Sequence, residues 1–207
     1  ANNQVFFIAT DSFRLAERFV TIENSDNLEA FSFIVPIKTA SDVLRILGND
    51  DQKITVSVDQ NQILFETENQ KVISRLINGQ FPDYKQIIPK DFAYEARVGR
   101  QEFLNAVKTV SAFSSKANDL TIKTGENKKF LEIHSLESSL GENVYKIPAK
   151  IEGGQFSIVF NWRYLLDGLK IYKGEEIILG VNNPEKPAVL RGPTEPFLTY
   201  VVMPIKG

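Results

Sequence analysis

Two matching stretches of sequence decide the fold, FSFIVPIKTASDVLR at residues 31–45 and FSIVFNWRYLLDGLK at residues 156–170. Phe, Ser, Asp and Leu recur at the same places in both, 125 residues apart. Four shorter matches keep the same order at offsets of 123 to 126 residues: 5–8 with 130–133, 54–58 with 177–181, 63–65 with 188–190, and 72–77 with 198–203. One short match can arise by chance, but five in the same order indicate an internal duplication.

Each copy is predicted to contain a strand that runs into a helix and is followed by further strands. Asn161 is the predicted N-cap of the helix in the second copy, and Thr39 or Ser41 is expected to cap the helix in the first. Alternating apolar residues predict strands, and turn residues separate them at 59–61, 125–127, 153–154 and 182–184. Two helices among many strands in a complete copy predict an α+β fold.

Residues 97–123 extend the second copy upstream and are predicted to form a strand, a helix and a strand. The helix is expected from Gln101 to about Ser114, because apolar or small residues recur on one face: Phe103, Val107, Val110 and Ser114. The counterpart in the first copy would fall before residue 1, so we expect the first domain to be incomplete. The stretch 78–90 breaks the periodicity, carries two prolines and is the natural linker between the copies.

The composition of the 207 residues is that of a folded globular protein, with 43% hydrophobic and 24% charged residues. Cysteine is absent, which excludes disulfides and thiolate metal sites and favours a cytoplasmic location. The chain has a single histidine, so no His-rich metal site is expected, and neither a metal nor another cofactor is predicted. The net charge of −2 does not by itself indicate nucleic-acid binding, although a local basic face remains possible.

No catalytic machinery is recognisable, and the chain is not expected to be an enzyme. The sequence contains neither a phosphate-binding GxxxxGK[ST] or GxGxxG loop nor a GxSxG nucleophile elbow. His134 could act as a general base, but it lies in a strand-like run and is interpreted as an ordinary strand histidine. Asp42 and Asp167 occupy equivalent places in the two copies, which favours a shared structural role over a catalytic carboxylate pair.

Two surfaces are candidates for binding. Basic residues are frequent on the predicted helices, which indicates either a surface that contacts nucleic-acid phosphates or an ordinary solvated helix face. The apolar run at residues 200–205 stops two residues from the end of the chain. It is interpreted as a buried last strand, as the lining of a binding groove, or as both, since Met203-Pro204-Ile205 lies just past the strand.

Four motifs together resemble the bacterial DNA polymerase III β subunits, the sliding clamp family. They are ATDSFRLA at 9–16, LINGQFPDY at 76–84, FNWRYLLD at 160–167 and the ending YVVMP at 200–204. The resemblance covers essentially the whole chain. It implies a DNA-clamp fold, in which repeated domains place helices on an inner face and antiparallel sheets on the outside. It also implies a truncated middle clamp domain at 1–80, an interdomain linker at 81–96 and a C-terminal clamp domain at 97–207.

The function implied by the resemblance is that of a processivity factor, which encircles double-stranded DNA without reading its sequence. Family members form a head-to-tail homodimeric ring, which this fragment is not expected to close. Residues expected to face DNA are Lys38, Arg45, Arg100, Lys108, Arg163 and Lys170, and those expected at the dimer contact are Ala112 and Phe113.

The family also tethers partners through a hydrophobic groove that binds short linear peptides. The implied partners are the replicative polymerase catalytic subunit, the clamp loader and repair polymerases. The first repeat and the linker contribute Thr10, Ser12, Phe13, Arg14, Leu15, Pro82 and Ile87 to this groove; the last domain contributes Asn161, Tyr164, Pro187, Val201, Val202, Met203, Pro204 and Ile205. Arg14 and the Asn161 amide are expected to orient the peptide.

Three positions depart from the family pattern. Phe13 stands where a histidine is often found, the chain ends Ile205-Lys206-Gly207 in place of a longer tail, and Gln86 stands where a basic residue can occur. These differences bear on peptide preference. A tandem-repeat β-rich binding module with no DNA role is the alternative function, and a hydrolase that uses surface carboxylates is a weaker third.

Overall fold

The computed structural model describes residues 3–22, 31–48 and 53–206. Their secondary structure consists of thirteen strands, three α-helices and one 3₁₀ helix. The strands are β1 (Gln4–Thr10), β2 (Arg14–Thr21), β3 (Thr55–Val58), β4 (Gln62–Glu66), β5 (Lys71–Arg75), β6 (Tyr94–Gly99), β7 (Asp119–Thr124), β8 (Phe130–Glu137), β9 (Gly141–Glu152), β10 (Ser157–Asn161), β11 (Glu176–Val181), β12 (Ala188–Gly192) and β13 (Glu195–Val202). The helices are α1 (Ile37–Leu47), α2 (Arg100–Ser111), α3 (Trp162–Ile171) and the 3₁₀ helix Tyr84–Gln86.

The chain divides into two compact units, one formed by residues 1–25 and 84–207 and the other by residues 26–83. The first unit contains a ten-stranded antiparallel sheet in the order β1-β2-β13-β12-β11-β6-β9-β8-β7-β10. The second contains the three-stranded sheet β3-β4-β5 and helix α1. The predicted α+β class is therefore confirmed, and α1 with β3, β4 and β5 repeats the order of α3 with β11, β12 and β13. The domain bounds at 1–80, 81–96 and 97–207 stay a prediction.

The core of the first unit lies between the sheet and the packed pair α2 and α3. Phe103, Val107 and Val110 are fully buried, as the three-to-four-residue spacing predicts. The predicted end of α2 at Ser114 is wrong, because the helix ends at Ser111. The N–H groups of Phe113 and Ser114 donate to the carbonyls three residues earlier, at 3.0 and 3.2 Å, and these tighter turns close the helix.

The two equivalent helices begin differently. The side chain of Asn161 accepts a hydrogen bond from the N–H of Arg163, so the predicted N-cap of α3 is confirmed. In the first copy Pro36 stands at the N-cap, and the prediction of Thr39 or Ser41 there is wrong. Both lie inside α1: the Thr39 hydroxyl contacts the Ser74 hydroxyl at 2.6 Å, and Ser41 Oγ donates to a backbone carbonyl. Pro36 has no side-chain group that could cap the helix, and its carbonyl accepts the first helical hydrogen bond, from the Ala40 N–H at 3.1 Å.

Helices α1 and α3 also differ in what covers them. Leu165 and Leu169 of α3 are fully buried. Their equivalents 125 residues earlier, Ala40 and Leu44, are exposed, and Leu44 shows 70% of its surface. In α3 this face contacts α2 and the sheet, whereas α1 presents the same face to solvent among the residues that the structure describes.

The predicted turns fall between strands. Asp59 Oδ1 accepts the N–H groups of Asn61 and Gln62, both at 2.7 Å, and so closes the hairpin of β3 and β4. The turn at 125–127 joins β7 to β8, the turn at 153–154 joins β9 to β10, and the turn at 182–184 joins β11 to β12. Among the described residues, none of the helices is long and apolar enough to cross a membrane.

Candidate functional site

The turn between β1 and β2 places two side chains of the predicted groove. Asp11 Oδ1 accepts the N–H groups of Phe13 and Arg14, each at 3.1 Å, and Thr10 Oγ1 donates to the Arg14 carbonyl at 2.9 Å. Ser12 adopts the left-handed conformation at φ 73°, which the tight reversal requires. As a result Phe13 projects from the turn with 57% of its surface exposed.

Arg14 lies between two carboxylates. Its Nε donates to Asp11 Oδ2 at 2.8 Å, and its Nη1 donates to Asp167 Oδ2 on α3 at 2.6 Å. Burial alone lowers the pKa of Arg14, but hydrogen bonds to Asp167 and Asp11 outweigh it and raise that pKa. Burial likewise raises the pKa of Asp11 by itself, but hydrogen bonds from Arg14 and from the Phe13 N–H together lower it. Arg14 is therefore permanently charged and already paired within the protein.

Tyr164 on α3 contacts Phe13, Arg14 and Tyr200. The Arg14 guanidinium carbon lies 4.5 Å from the centre of its ring, and the Phe13 ring stacks with it at a centroid distance of 6.2 Å. The Tyr164 carbonyl accepts the hydroxyl of Tyr200 at 2.9 Å, and burial raises the pKa of Tyr200 to about 12. Tyr164 is thus fixed through its ring and its backbone.

The C-terminal segment runs beside this cluster. The N–H of Met203 donates to the carbonyl of Phe13 at 2.8 Å, and the N–H of Ile205 donates to the carbonyl of Val159 at 2.9 Å. Met203 and Ile205 are half-buried and Pro204 is buried. Phe13, Tyr164 and Met203 therefore lie together on one partly exposed surface. Of the C-terminal residues that differ from the family pattern, Lys206 is exposed and Gly207 lies outside the described residues.

Three predicted groove residues on β2 and β13 are buried: Leu15, Val201 and Val202. Val201 and Val202 pair with Leu15 and Arg14 across β13 and β2. Leu15, Val201 and Val189 form a small buried cluster, whereas Val202, the next residue along β13, points to the opposite face of the sheet and belongs to the main core of the first unit. Asn161 uses its amide oxygen as the α3 cap.

The other predicted groove residues differ in how far they are exposed to solvent. Ile87 is 45% exposed after the 3₁₀ helix, and Pro187 is half-buried just before β12. Thr10 and Ser12 are exposed in the turn, and Pro82 is exposed in the other compact unit. Sequence reasoning did not include Asp11, Asp167 or Tyr200 in the site. The recurrence of an aspartate at positions 42 and 167 marked Asp167 as a residue of interest, but it did not indicate that Asp167 pairs with Arg14.

The six basic residues predicted to face DNA differ in their surroundings. Lys38, Lys108, Arg163 and Lys170 are exposed, although Arg163 Nε donates to Asn118 Oδ1 at 3.1 Å. Arg45 is exposed and pairs with Asp42 on its own helix at 2.8 Å. Arg100 is partly buried, and its Nε donates to the Gly174 carbonyl at 2.8 Å. Arg100 is therefore the least available of the six for contact with a phosphate.

The remaining candidates lie on the strands and helix end of the first unit. Ala112, at the end of α2, is exposed, and Phe113 is half-buried. His134 lies in β8, as predicted, and its Nε2 is 2.8 Å from Glu142 Oε1 on β9. Within residues 3–22, 31–48 and 53–206, no group of three or more His, Asp or Glu residues is placed to hold a metal ion.

The fold and the site define a tandem-repeat protein whose sheet continues from one repeat into the next through β2 and β13, with a partly exposed apolar surface beside that pairing. The chain belongs to the DNA polymerase III beta subunit family. Its residues 1–83 match the family's central domain, and residues 85–206 match the C-terminal domain.

The relatives named beta sliding clamp are similar along nearly the whole chain. Those of Staphylococcus epidermidis and Bacillus subtilis are each 28% identical over 206 residues, which is 99% of this chain. The chain spans about half the length of these curated relatives, 54% in both cases. The resemblance suggested by the four sequence motifs is confirmed by these matches.

Solved structures agree on the fold. The sliding clamp of Bacillus subtilis superposes with a TM-score of 0.94 at 27% identity, and covers 100% of this chain and 55% of its own. The DNA polymerase III beta subunit of Thermotoga maritima gives 0.90 at 28% identity, with 100% and 56% covered. The C. crescentus beta sliding clamp, at 0.91 and 26% identity, covers 99% and 54% and is described with PEG bound to a proposed beta-motif tethering region. The predicted DNA-clamp fold is confirmed.

Proposed function

We propose that this chain is the central and C-terminal part of a sliding clamp, a processivity factor that encircles DNA and tethers the replicative polymerase. The observation that carries the proposal is the match of both halves to consecutive domains of one family, in the family's order. That match favours a clamp over an unrelated tandem-repeat binding module. We place the protein in the cytoplasm, in a role that is structural and not enzymatic.

The docking surface is proposed to bind short linear peptides from the polymerase, the clamp loader and repair polymerases. Phe13, Tyr164 and Met203 offer partly exposed aromatic and thioether surface, which suits apolar peptide anchors. Leu15 and Val201 are held in register between β2 and β13 and are proposed to add a rigid apolar part to this surface. The remaining exposed groove residues of the first unit, such as Ser12 and Ile87, are proposed to line its edges.

Contact with double-stranded DNA is proposed to rest on the exposed basic residues of the helices. Lys108 of α2 and Arg163 and Lys170 of α3 belong to helices that pack on each other, and Lys38 and Arg45 both lie on α1. Such side chains contact phosphates without reading bases, which is what a ring that slides requires. A head-to-tail ring contact at Ala112 and Phe113 belongs to the same proposal, and this chain alone is not expected to close the ring.

The exposed face of α1 supports the prediction that the first repeat is completed by a further strand–helix–strand unit. In the second repeat the corresponding unit is β6, α2 and β7, and it covers Leu165 and Leu169. The exposed Ala40 and Leu44 occupy the same positions in the first repeat.

A peptide-binding measurement tests the docking surface. A fluorescein-labelled peptide from a polymerase subunit should bind the chain, and Met203→Ala should raise the dissociation constant about five- to thirtyfold, or about 1–2 kcal/mol. The matched control is Leu136→Ala, because Leu136 is 58% exposed on β8, toward the other end of the ten-stranded sheet. The control should bind like wild type. Absence of anisotropy change at millimolar protein, or equal losses in both variants, contradicts the assignment.

A further inference from the structure

Equivalent aspartates of the two repeats have different partners. Asp42 on α1 pairs with Arg45 of its own helix, three residues on, at 2.8 Å. Asp167 stands at the same position of α3, but its i+3 neighbour Lys170 is 3.8 Å away. Asp167 instead accepts from Arg14 at 2.6 Å, 153 residues earlier in the sequence. In the second repeat the aspartate therefore connects its helix to the β1–β2 turn.

The Arg14–Asp167 bond acts on both aromatic residues of the docking surface. Arg14 begins β2 directly after Phe13, so fixing the guanidinium also limits where the turn can lie. The same guanidinium contacts the Tyr164 ring, one helical turn before Asp167. Without the Asp167 carboxylate, Arg14 would keep its bond to Asp11, which belongs to the same turn and makes no connection to α3.

We propose that Asp167 is a positioning residue of the peptide-binding surface, an inference that rests on the proposed function. It acts through Arg14 and holds the Phe13 turn against Tyr164 in the arrangement that receives the peptide. Preorganised sites bind more tightly because the ordering cost is met before the ligand arrives. The pair is partly exposed, with 29% of the Arg14 side chain and 51% of Asp167 accessible, so solvent and salt weaken the bond.

Anisotropy titrations with one labelled polymerase peptide test this role. Asp167→Asn should raise the dissociation constant about three- to tenfold at about 50 mM salt, a loss of up to about 1.4 kcal/mol. The difference from wild type should shrink at about 500 mM salt. Asp167→Glu keeps the charge and should stay within about twofold of wild type. The control is Asp42→Asn, which removes the equivalent carboxylate from the first repeat and should leave affinity unchanged.

A double-mutant cycle separates positioning from direct contact with the peptide. In an Arg14→Gln background, Asp167→Asn should cause no further loss, because the partner through which it acts is gone. Additive losses would overturn the proposal, as would a loss for Asp42→Asn equal to that for Asp167→Asn. If Asp167→Asn lowers the thermal midpoint strongly, the cycle is run at a temperature well below the midpoints of all four proteins, where additive losses again contradict the proposal.

Peptide binding by the wild-type chain tests the proposed function separately from the positioning role of Asp167. If the wild-type chain does not bind the peptide, the proposed function fails. If wild type binds and Asp167→Asn binds equally well at low salt, only the positioning role is wrong.

Discussion

Leu169 and Leu44 are equivalent residues of the two repeats with opposite surroundings, so the same substitution should have very different costs. Leu169 is 0% exposed in the core of the first unit, and truncating a buried leucine to alanine costs about 2–5 kcal/mol. Leu44 is 70% exposed. Since burying a whole leucine contributes about 1.5–3 kcal/mol, the covered third of its surface is worth less than about 1 kcal/mol.

Urea titration measures the difference. The single tryptophan, Trp162, lies at the start of α3, so its fluorescence reports unfolding of the first unit. With a urea dependence of about 2 kcal/mol per M, Leu169→Ala should lower the midpoint by about 1–2.5 M. Far-UV circular dichroism follows both units, and by this signal Leu44→Ala should shift the transition by less than about 0.5 M.

Equal destabilisation by the two substitutions would refute the reasoning. It would mean that the apolar face of α1 is buried in solution, for example against a second copy of the chain. A dependence of the Leu44→Ala effect on protein concentration would point to that cause, because association stabilises the folded state by mass action.

Two further predictions concern the site and its support. Gly168→Ala should destabilise the first unit by about 1–3 kcal/mol in the same urea assay, because the new Cβ would lie 2.5 Å from the Tyr200 ring; an unchanged midpoint would contradict this packing. The lowered pKa of Asp11 implies stability that is present above its ordinary value of 3.8 and lost as pH falls through the lower folded value. The thermal midpoint of wild type should therefore exceed that of Asp11→Asn at about pH 6, and the gap should close by about pH 2. A gap independent of pH would show that the carboxylate charge is not responsible.

The sequence predicts most of the elements because their signals are local. The buried spacing of Phe103, Val107 and Val110 and the cap at Asn161 depend on neighbours within one helical turn. The end of α2 was predicted wrongly because the periodicity continues to Ser114 while the backbone tightens after Ser111, and the start of α1 was predicted wrongly because Pro36 stands at the N-cap in place of Thr39 or Ser41. Helix boundaries depend on such small differences in free energy.

The sequence indicates which residues belong to the site but not which of them contact one another. A repeat fixes which residues are equivalent, but it does not say which strand of one copy pairs with which strand of the other. The docking surface depends on that pairing, because β2 hydrogen-bonds to β13 and so brings the Phe13 turn to Met203. The buried role of Leu15 and Val201 follows from the same register, which no local pattern contains.

The pairing of β2 with β13 also sets the surroundings of Asp167 on α3. The hairpin of β1 and β2 brings Arg14 to Asp167 on α3, whereas among the described residues Asp42 pairs with Arg45 of its own helix. The proposed docking surface thus depends on the pairing of a strand of one repeat with a strand of the other. A substitution that breaks the β2–β13 register should abolish peptide binding even though every residue of the groove is still present.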